Sequence, residues 1–183
     1  MQLLPETSLQ GGKYKIEKVL GQGGFGITYL GLQTGLNRSV AIKEFFMKEY
    51  CEREETTSKV LLGSQGSRDI VDRFRIKFIK EAQTIAQMDN PHIIRIHDIF
   101  EENATAYYVM EYIDGHRIDE ISKLKAQGYN VEELGIHLGK NYVKQIIEDG
   151  YFHADPHPGN IWIKNGKIIW LDLGMMGRLS SKE

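Results

Sequence analysis

The chain has 183 residues, 41% of them apolar, and a formal net charge of −2. That length supports one or two compact units with a real core. The near-neutral charge gives no reason to expect nucleic acid or an anionic membrane surface as a partner.

The single cysteine, Cys51, cannot form an internal disulfide, which suits a reducing compartment. The opening MQLLPETSLQGGKYK has no basic start followed by an apolar run, so it does not read as a signal peptide. The most apolar stretch, IIWLDLGMM, is too short to cross a bilayer. A soluble, cytoplasmic protein is the expectation.

Residues 1–13 read as a flexible lead-in. From Tyr14 the sequence alternates with β period through YKIEKVLGQGGFGITYLGLQ and SVAIKEFF, giving three strands with a glycine-rich turn between the first two. Residues 50–68 are polar, broken by Gly63 and Gly66, and read as an exposed insertion. Residues 69–88 carry Val71, Phe74, Phe78, Ala82, Ile85 and Met88 at three- and four-residue steps, the pattern of an amphipathic helix, with Asp69 as its cap. Pro91 prevents an early return to helix. Two strands follow, HIIRIHDIF and TAYYVMEYI, and Asp114-Gly115 then breaks the pattern, so a boundary is expected at residues 112–116. Residues 131–149 form a second helix, with Leu134, Leu138, Tyr142 and Ile146 spaced by four. IWIKNGKIIWLDLG closes the series as a hairpin turning at Asn165-Gly166. The expected architecture is α+β: a five-stranded antiparallel sheet with one helix, then a helix, a loop and a β-hairpin.

Residues 21–26, GQGGFG, fit two readings. In the dinucleotide-binding fold this pattern runs into a helix, but here it runs into the β-like ITYLGLQ. A glycine loop between two strands brings backbone N–H groups close to phosphates. Lys43, in VAIK, lies on the next strand, and Glu81, in FIKEAQ, is a carboxylate that would hold it. Each residue alone is more often an ordinary strand lysine or a solvated helix glutamate. Their order matches the protein-kinase signature.

The stretch FHADPHPGN also fits two readings. His153, Asp155 and His157 have the composition of a two-histidine, one-carboxylate metal site. The same residues supply the loop pattern H-x-D-x-x-x-x-N through His153, Asp155 and Asn160, followed by D-x-G at Asp172 and Gly174. Pro156 and Pro158 stiffen the loop around His157, and His97 and His116 are isolated, which favours the second reading.

Residues 14–115 resemble the N-terminal lobe of bacterial serine/threonine protein kinases, through VLGQGGFGITYLG, VAIKEFF and FIKEAQTIAQMDNPHIIRIHDIFEENATAYYVMEYIDG. Residues 108–183 resemble the AarF/UbiB (ADCK-like) atypical kinases, through HADPHPGN and LDLGMMGRLS. Ala154 and His157 stand where an ordinary protein kinase carries Arg and Lys. The two stretches meet at YYVMEYIDG, as in a chimera or a fusion at a shared motif. The resemblance divides the chain into a lead-in (1–13), an N-lobe (14–111), a hinge (112–116) and a truncated C-lobe (117–183).

The resemblance implies ATP and Mg²⁺ as cofactors. Gly21, Gly23, Gly24 and Gly26 would fold over the phosphates, with Lys43 held by Glu81. Ala41, Met110, Glu111 and Ile113 would surround the adenine. Asp155 would orient or deprotonate the attacking hydroxyl, His153 would hold the loop, His157 would touch phosphate or substrate, and Asn160 and Asp172 would bind Mg²⁺. The acceptor would be a protein Ser/Thr, a small lipid-like molecule, or water.

Some features depart from both families. The atypical family has an alanine-rich loop at GQGGFG and an N-terminal K-x-G-Q extension, and neither is found here. Only nine residues follow Gly174, so a truncated C-lobe without the substrate-binding helices and the A-P-E motif is the expectation. Trp162 stands where an aliphatic residue is usual. Three functions fit this pattern: an active phosphotransferase or ATPase, a nucleotide-binding module without turnover, and a fragment that needs a partner chain to fold, with oligomerisation through the exposed C-lobe surface as an expectation.

Overall fold

A computed structural model describes residues 2–63, 67–148, 151–154, 156–171 and 176–178. The chain divides into two units, Met1–Met88 with Arg95–Tyr112, and Asp89–Ile94 with Ile113–Glu183.

The first unit is a curled antiparallel sheet with one long helix. Its elements are β1 (Ser8–Leu9), β2 (Tyr14–Gln22), β3 (Gly26–Gln33), β4 (Arg38–Phe45), a small hairpin β5 (Cys51–Arg53) and β6 (Val60–Leu62), helix α1 (Arg68–Ala86), β7 (Ile96–Glu102) and β8 (Thr105–Glu111). The main sheet runs β1-β2-β3-β4-β8-β7. The interior strand β8 is buried along all but its last residue, as expected for a strand covered on both faces. Helix α1 covers one face, where Phe78 packs on Phe45 and Tyr108 at centroid distances of 5.6 and 4.8 Å. On the other face lie Ile16, Tyr29, Ile42, Phe46 and Tyr107, all fully buried.

The two edges of this sheet meet. Asp98 on β7 accepts from Lys13 Nζ at 2.6 Å and from the Tyr14 hydroxyl at 2.9 Å. Gln10 N–H donates to Glu102 Oε2 at 2.8 Å, and Tyr14 stacks on Phe100. Side-chain contacts hold the two edges together, without a ladder of backbone pairing between them among the described residues.

Residues 1–13 are therefore not a loose lead-in. Leu3 and Leu9 are buried, β1 pairs with β2, and Leu3 N–H donates to the Tyr29 hydroxyl at 3.1 Å. Two isolated leucines give no period to read, yet they fill the sheet interior. The 50–68 insertion is likewise only partly exposed: Cys51 and Val60 are buried and β5 pairs with β6. Its strands have three residues each, too short for alternation to show. Asp69 falls in the first turn of α1 behind an N-cap at Ser67, where its charge still favours the helix dipole.

The second unit holds β9 (His116–Arg117), α2 (Ile121–Ala126), α3 (Val131–Ile147), β10 (Tyr151–His153), β11 (Ile161–Lys164), β12 (Lys167–Trp170) and β13 (Met176–Arg178). Strands β12-β11-β9 form one sheet and β10-β13 another. Asn165 and Gly166 take φ of 50° and 72°, the paired positive values of a tight hairpin turn. Asn130 caps α3 by accepting from the N–H groups of Glu132 and Glu133. The expected strand HIIRIHDIF is split. Its first residues join this unit, because Ile94 N–H donates to Trp170 O and Trp170 N–H donates to His92 O. No helix among the described residues is long and apolar enough to cross a membrane.

Burial alone would raise the Asp98 carboxyl, but the hydrogen bonds from Lys13 and Tyr14 outweigh it and hold Asp98 below the usual carboxylate range. The folded value then lies below the unfolded value of about 3.9. Edge closure therefore contributes its full stability above that pH and loses it as pH falls through the folded value. Asp98→Asn should lower the urea midpoint at pH 7, and its gap from wild type should narrow as pH falls below the unfolded value of about 3.9. Urea melts across a pH series would check this.

Candidate functional site

Strand β4 presents alternate residues to opposite faces. Lys43 and Phe45 face α1, whereas Ile42, Glu44 and Phe46 face away. Lys43 Nζ lies 3.9 Å from Glu81 Oε1, with the two side chains 22% and 19% exposed. The same ammonium sits 5.5 Å from the Tyr108 ring centroid. Glu81 reaches this position because it lies one turn beyond Phe78, on the side of α1 that carries Phe78, Ala82 and Ile85. Strand register also places Ala41 opposite Met110 and Val40 opposite Glu111, with Ala41 and Met110 both buried. Glu111 is fixed by exchange with Arg95, whose N–H donates to Glu111 Oε1 and whose carbonyl accepts from Glu111 N–H. Ile113 is buried in the second unit.

The glycine loop joins β2 to β3 and is closed by Gly23 N–H donating to Gly26 O at 2.9 Å. A Cβ at Gly21, Gly23 or Gly24 would meet nothing within 4 Å. The chain's own packing does not demand glycine there, and the space beside that backbone is open to a ligand. Gly26 differs. A Cβ there would stand 2.7 Å from Glu44 O and 3.8 Å from Lys43 Cε, so the loop end rests directly on β4. At the loop tip, the Phe25 ring stacks on Phe74 of α1 at 5.0 Å.

One functional candidate was not singled out from sequence. Glu44 is fully buried. Its Oε2 accepts from the Tyr29 hydroxyl at 2.8 Å and from Arg53 Nη2 at 2.6 Å, and its Oε1 accepts from the Tyr107 hydroxyl at 2.7 Å. Burial, then the Glu44 charge, pushes both tyrosine hydroxyls well above their ordinary range. A carboxylate within the apolar run VAIKEFF was the available signal.

In the second unit, α3 and Trp170 place His153. Its N–H donates to Gln145 Oε1 at 3.2 Å, its carbonyl accepts from the Tyr142 hydroxyl at 2.8 Å, and its ring stacks on Trp170 at 5.1 Å. His157 Nδ1 accepts from Gly159 N–H at 3.0 Å and so caps the short 3₁₀ turn Pro158–Asn160. This cap gives His157 a local structural role through Nδ1. Asn160 is pinned at both backbone ends: its N–H donates to His157 O, and its carbonyl accepts from Leu171 N–H. The Trp162 indole N–H donates to Gly159 O at 3.1 Å, so that ring also braces the turn. Asp155, Asp172 and Gly174 lie outside the described residues. Among the described residues no group of three or more His, Cys, Asp or Glu side chains is placed to hold a metal ion.

These features agree with the comparisons to known proteins. The family model for the ABC1 atypical kinase-like domain matches residues 75–183. That is more than half of the chain, and the protein belongs to this family. The match begins well upstream of residue 108 and takes in Glu81. Among curated relatives, the probable serine/threonine-protein kinase PknB of Bifidobacterium longum is 30% identical over 92% of this chain and 23% of its own length. The protein ACTIVITY OF BC1 COMPLEX KINASE 8, chloroplastic, of Arabidopsis thaliana is 38% identical over 48% of this chain and 12% of its own length. The solved apo form of PpkA-294 superposes with a TM-score of 0.77 at 24% identity, over 94% of this chain and 62% of that one. The Mycobacterium tuberculosis PknI kinase domain gives a TM-score of 0.60 at 21% identity. The fold is protein-kinase-like, and the chain spans less than a quarter of the length of these two curated relatives.

The loop geometry gives a contrast to test. Gly26→Ala should destabilise the first unit by about 1–3 kcal/mol, because its Cβ overlaps a backbone oxygen. Gly23→Ala should stay within about 0.5 kcal/mol of wild type. Urea denaturation of the two variants would check both.

Proposed function

We propose that the chain binds Mg-ATP and directs transfer of the γ-phosphoryl group to a hydroxyl or to water. The observation that carries this reading is Lys43 paired with Glu81 at 3.9 Å, its stem next to the end of a loop whose Gly21, Gly23 and Gly24 have open space at their Cβ positions. Kinase-like family membership supports it.

In this reading the backbone of Gly21, Gly23 and Gly24 approaches the phosphates closely, as side chains would not allow. Lys43 adds a point charge and Glu81 keeps it aimed. Ala41, Met110, Glu111 and Ile113 surround the base. Asn160 and Asp172 offer the amide oxygen and carboxylate that suit Mg²⁺. When bound, Mg-ATP supplies the electrophilic phosphoryl group and the divalent charge that offsets its anionic oxygens. Asp155 orients the attacking hydroxyl and accepts its proton. His153, buried between Trp170 and α3, keeps that loop in place. Positioning and charge neutralisation are the main contributions such a site makes.

The acceptor is a hydroxyl of a protein or of a small lipid-like molecule, the first in keeping with the serine/threonine kinase names of the relatives. A reducing, cytoplasmic setting fits the lone thiol Cys51, which burial keeps protonated. A second reading is nucleotide binding without turnover.

Asp155→Asn discriminates the two. It should cut phosphate release by about 100-fold or more while Mg-ATP affinity stays within about threefold of wild type. Phosphate release by the wild type that Asp155→Asn leaves unchanged would sink the assigned role of Asp155. Binding without any wild-type release would favour the second reading.

A further inference from the structure

Glu44 and Arg53 carry charge inside the first unit, yet neither belongs to the groups assigned to the nucleotide. We infer that these two residues are positioning residues for Lys43, so that docking of the β5–β6 hairpin controls the phosphate-holding lysine. The inference rests on the reading of Lys43 as a phosphate-binding group.

Strand register supplies the link. Lys43 pairs with Tyr108, and the next residue, Glu44, pairs with Tyr107. The Tyr108 ring lies 5.5 Å from the Lys43 ammonium on one face of the sheet. The Tyr107 hydroxyl donates to Glu44 at 2.7 Å on the other. On the β3 side, Ile42 pairs with Tyr29, whose hydroxyl also donates to Glu44. Glu44 O is the atom that a Cβ at Gly26 would strike. A displacement of Glu44 therefore moves both Lys43 and the end of the glycine loop.

A fully buried carboxylate is tolerated only where hydrogen bonds and a countercharge compensate its lost hydration. Arg53 supplies the countercharge at 2.6 Å, with its side chain 5% exposed. It is itself held, with Nη1 donating to Ser58 O at 2.6 Å and its guanidinium 5.4 Å from the Phe46 ring. The hairpin is fastened to the β7–β8 turn, where Val60 N–H donates to Asn103 O and Asn103 Nδ2 donates to the Tyr107 hydroxyl. Hairpin, tyrosine pair and carboxylate make one arrangement. Without the guanidinium, the buried Glu44 loses its countercharge, and the rearrangement that follows falls at the residue next to Lys43.

The test is competitive acylation of the ligand-free chain with limiting acetic anhydride, read by mass spectrometry at each lysine. Lys13, paired with Asp98 where the sheet edges meet, is the internal reference. Arg53→Met should raise the Lys43 rate by at least about threefold, the low end of couplings within one network. The Lys13 rate should stay unchanged, and Arg53→Lys should return Lys43 close to wild type. Mg-ATP affinity should fall by a similar factor in Arg53→Met. An unchanged Lys43 rate in folded Arg53→Met would overturn the inference. So would a joint rise at Lys43 and Lys13, because it reports general loosening. If Arg53→Met does not fold, Glu44→Gln has no charge to bury, and the same two rates decide by the same criteria. Because the labelling needs no nucleotide, a wild type that bound no Mg-ATP would remove the phosphate reading of Lys43 and leave the coupling to be judged by the rates.

Discussion

A carboxylate with no access to water organises the first unit. Glu44 sits near the C-terminal end of β4 and is satisfied by Tyr29, Tyr107 and Arg53, which come from three other strands. Leu3 extends the same cluster through the Tyr29 hydroxyl. Removing one partner of a buried ion pair typically costs about 3–5 kcal/mol. A domain of this kind has only about 5–15 kcal/mol in total. The sheet is therefore committed to the arrangement in which all three partners reach Glu44. That arrangement fixes β4 between β3 and β8.

The lysine proposed for phosphate and the end of the glycine loop both adjoin the same strand. Lys43 precedes Glu44 and faces the opposite side, toward Glu81 on α1. Gly26 rests on the backbone of Glu44, and the Phe25 ring on Phe74 ties the loop tip to the same helix. The second unit uses a different scaffold for its loop. Tyr142 and Gln145 of α3 hold the backbone of His153, and Trp170 stacks on its ring. His157 and Trp162 brace the turn that carries Asn160. In both units the described residues proposed for a ligand have neighbours that are themselves hydrogen-bonded or stacked, which is what preorganised chemistry needs.

Much of this was legible from sequence because it depends on order and spacing. The α+β kinase-like fold followed from strand alternation, the helical period of α1 and the motif order, and the match to known kinase structures supports it. The Lys43–Glu81 pair followed from the same order. What could not be read depends on partners far away in the chain. Glu44 looks like any strand glutamate until Tyr107 and Arg53 are seen beside it. Leu3 and Leu9 are too isolated to show a period, and the three-residue strands around Arg53 are too short. Gly26 and Gly23 look alike in GQGGFG, yet only Gly26 has a backbone oxygen where a Cβ would go. The turn cap that His157 makes through Nδ1 to Gly159 N–H is likewise a contact that spacing alone does not show.

The most direct measurement is thermal unfolding of the chain with and without Mg-ATP. A ligand at 100 times its dissociation constant stabilises the folded state by roughly 2.7 kcal/mol. The account predicts an upward shift of several degrees that saturates with Mg-ATP and is lost in Lys43→Met. A melting temperature unmoved by saturating Mg-ATP would contradict the claim that these residues form a nucleotide site.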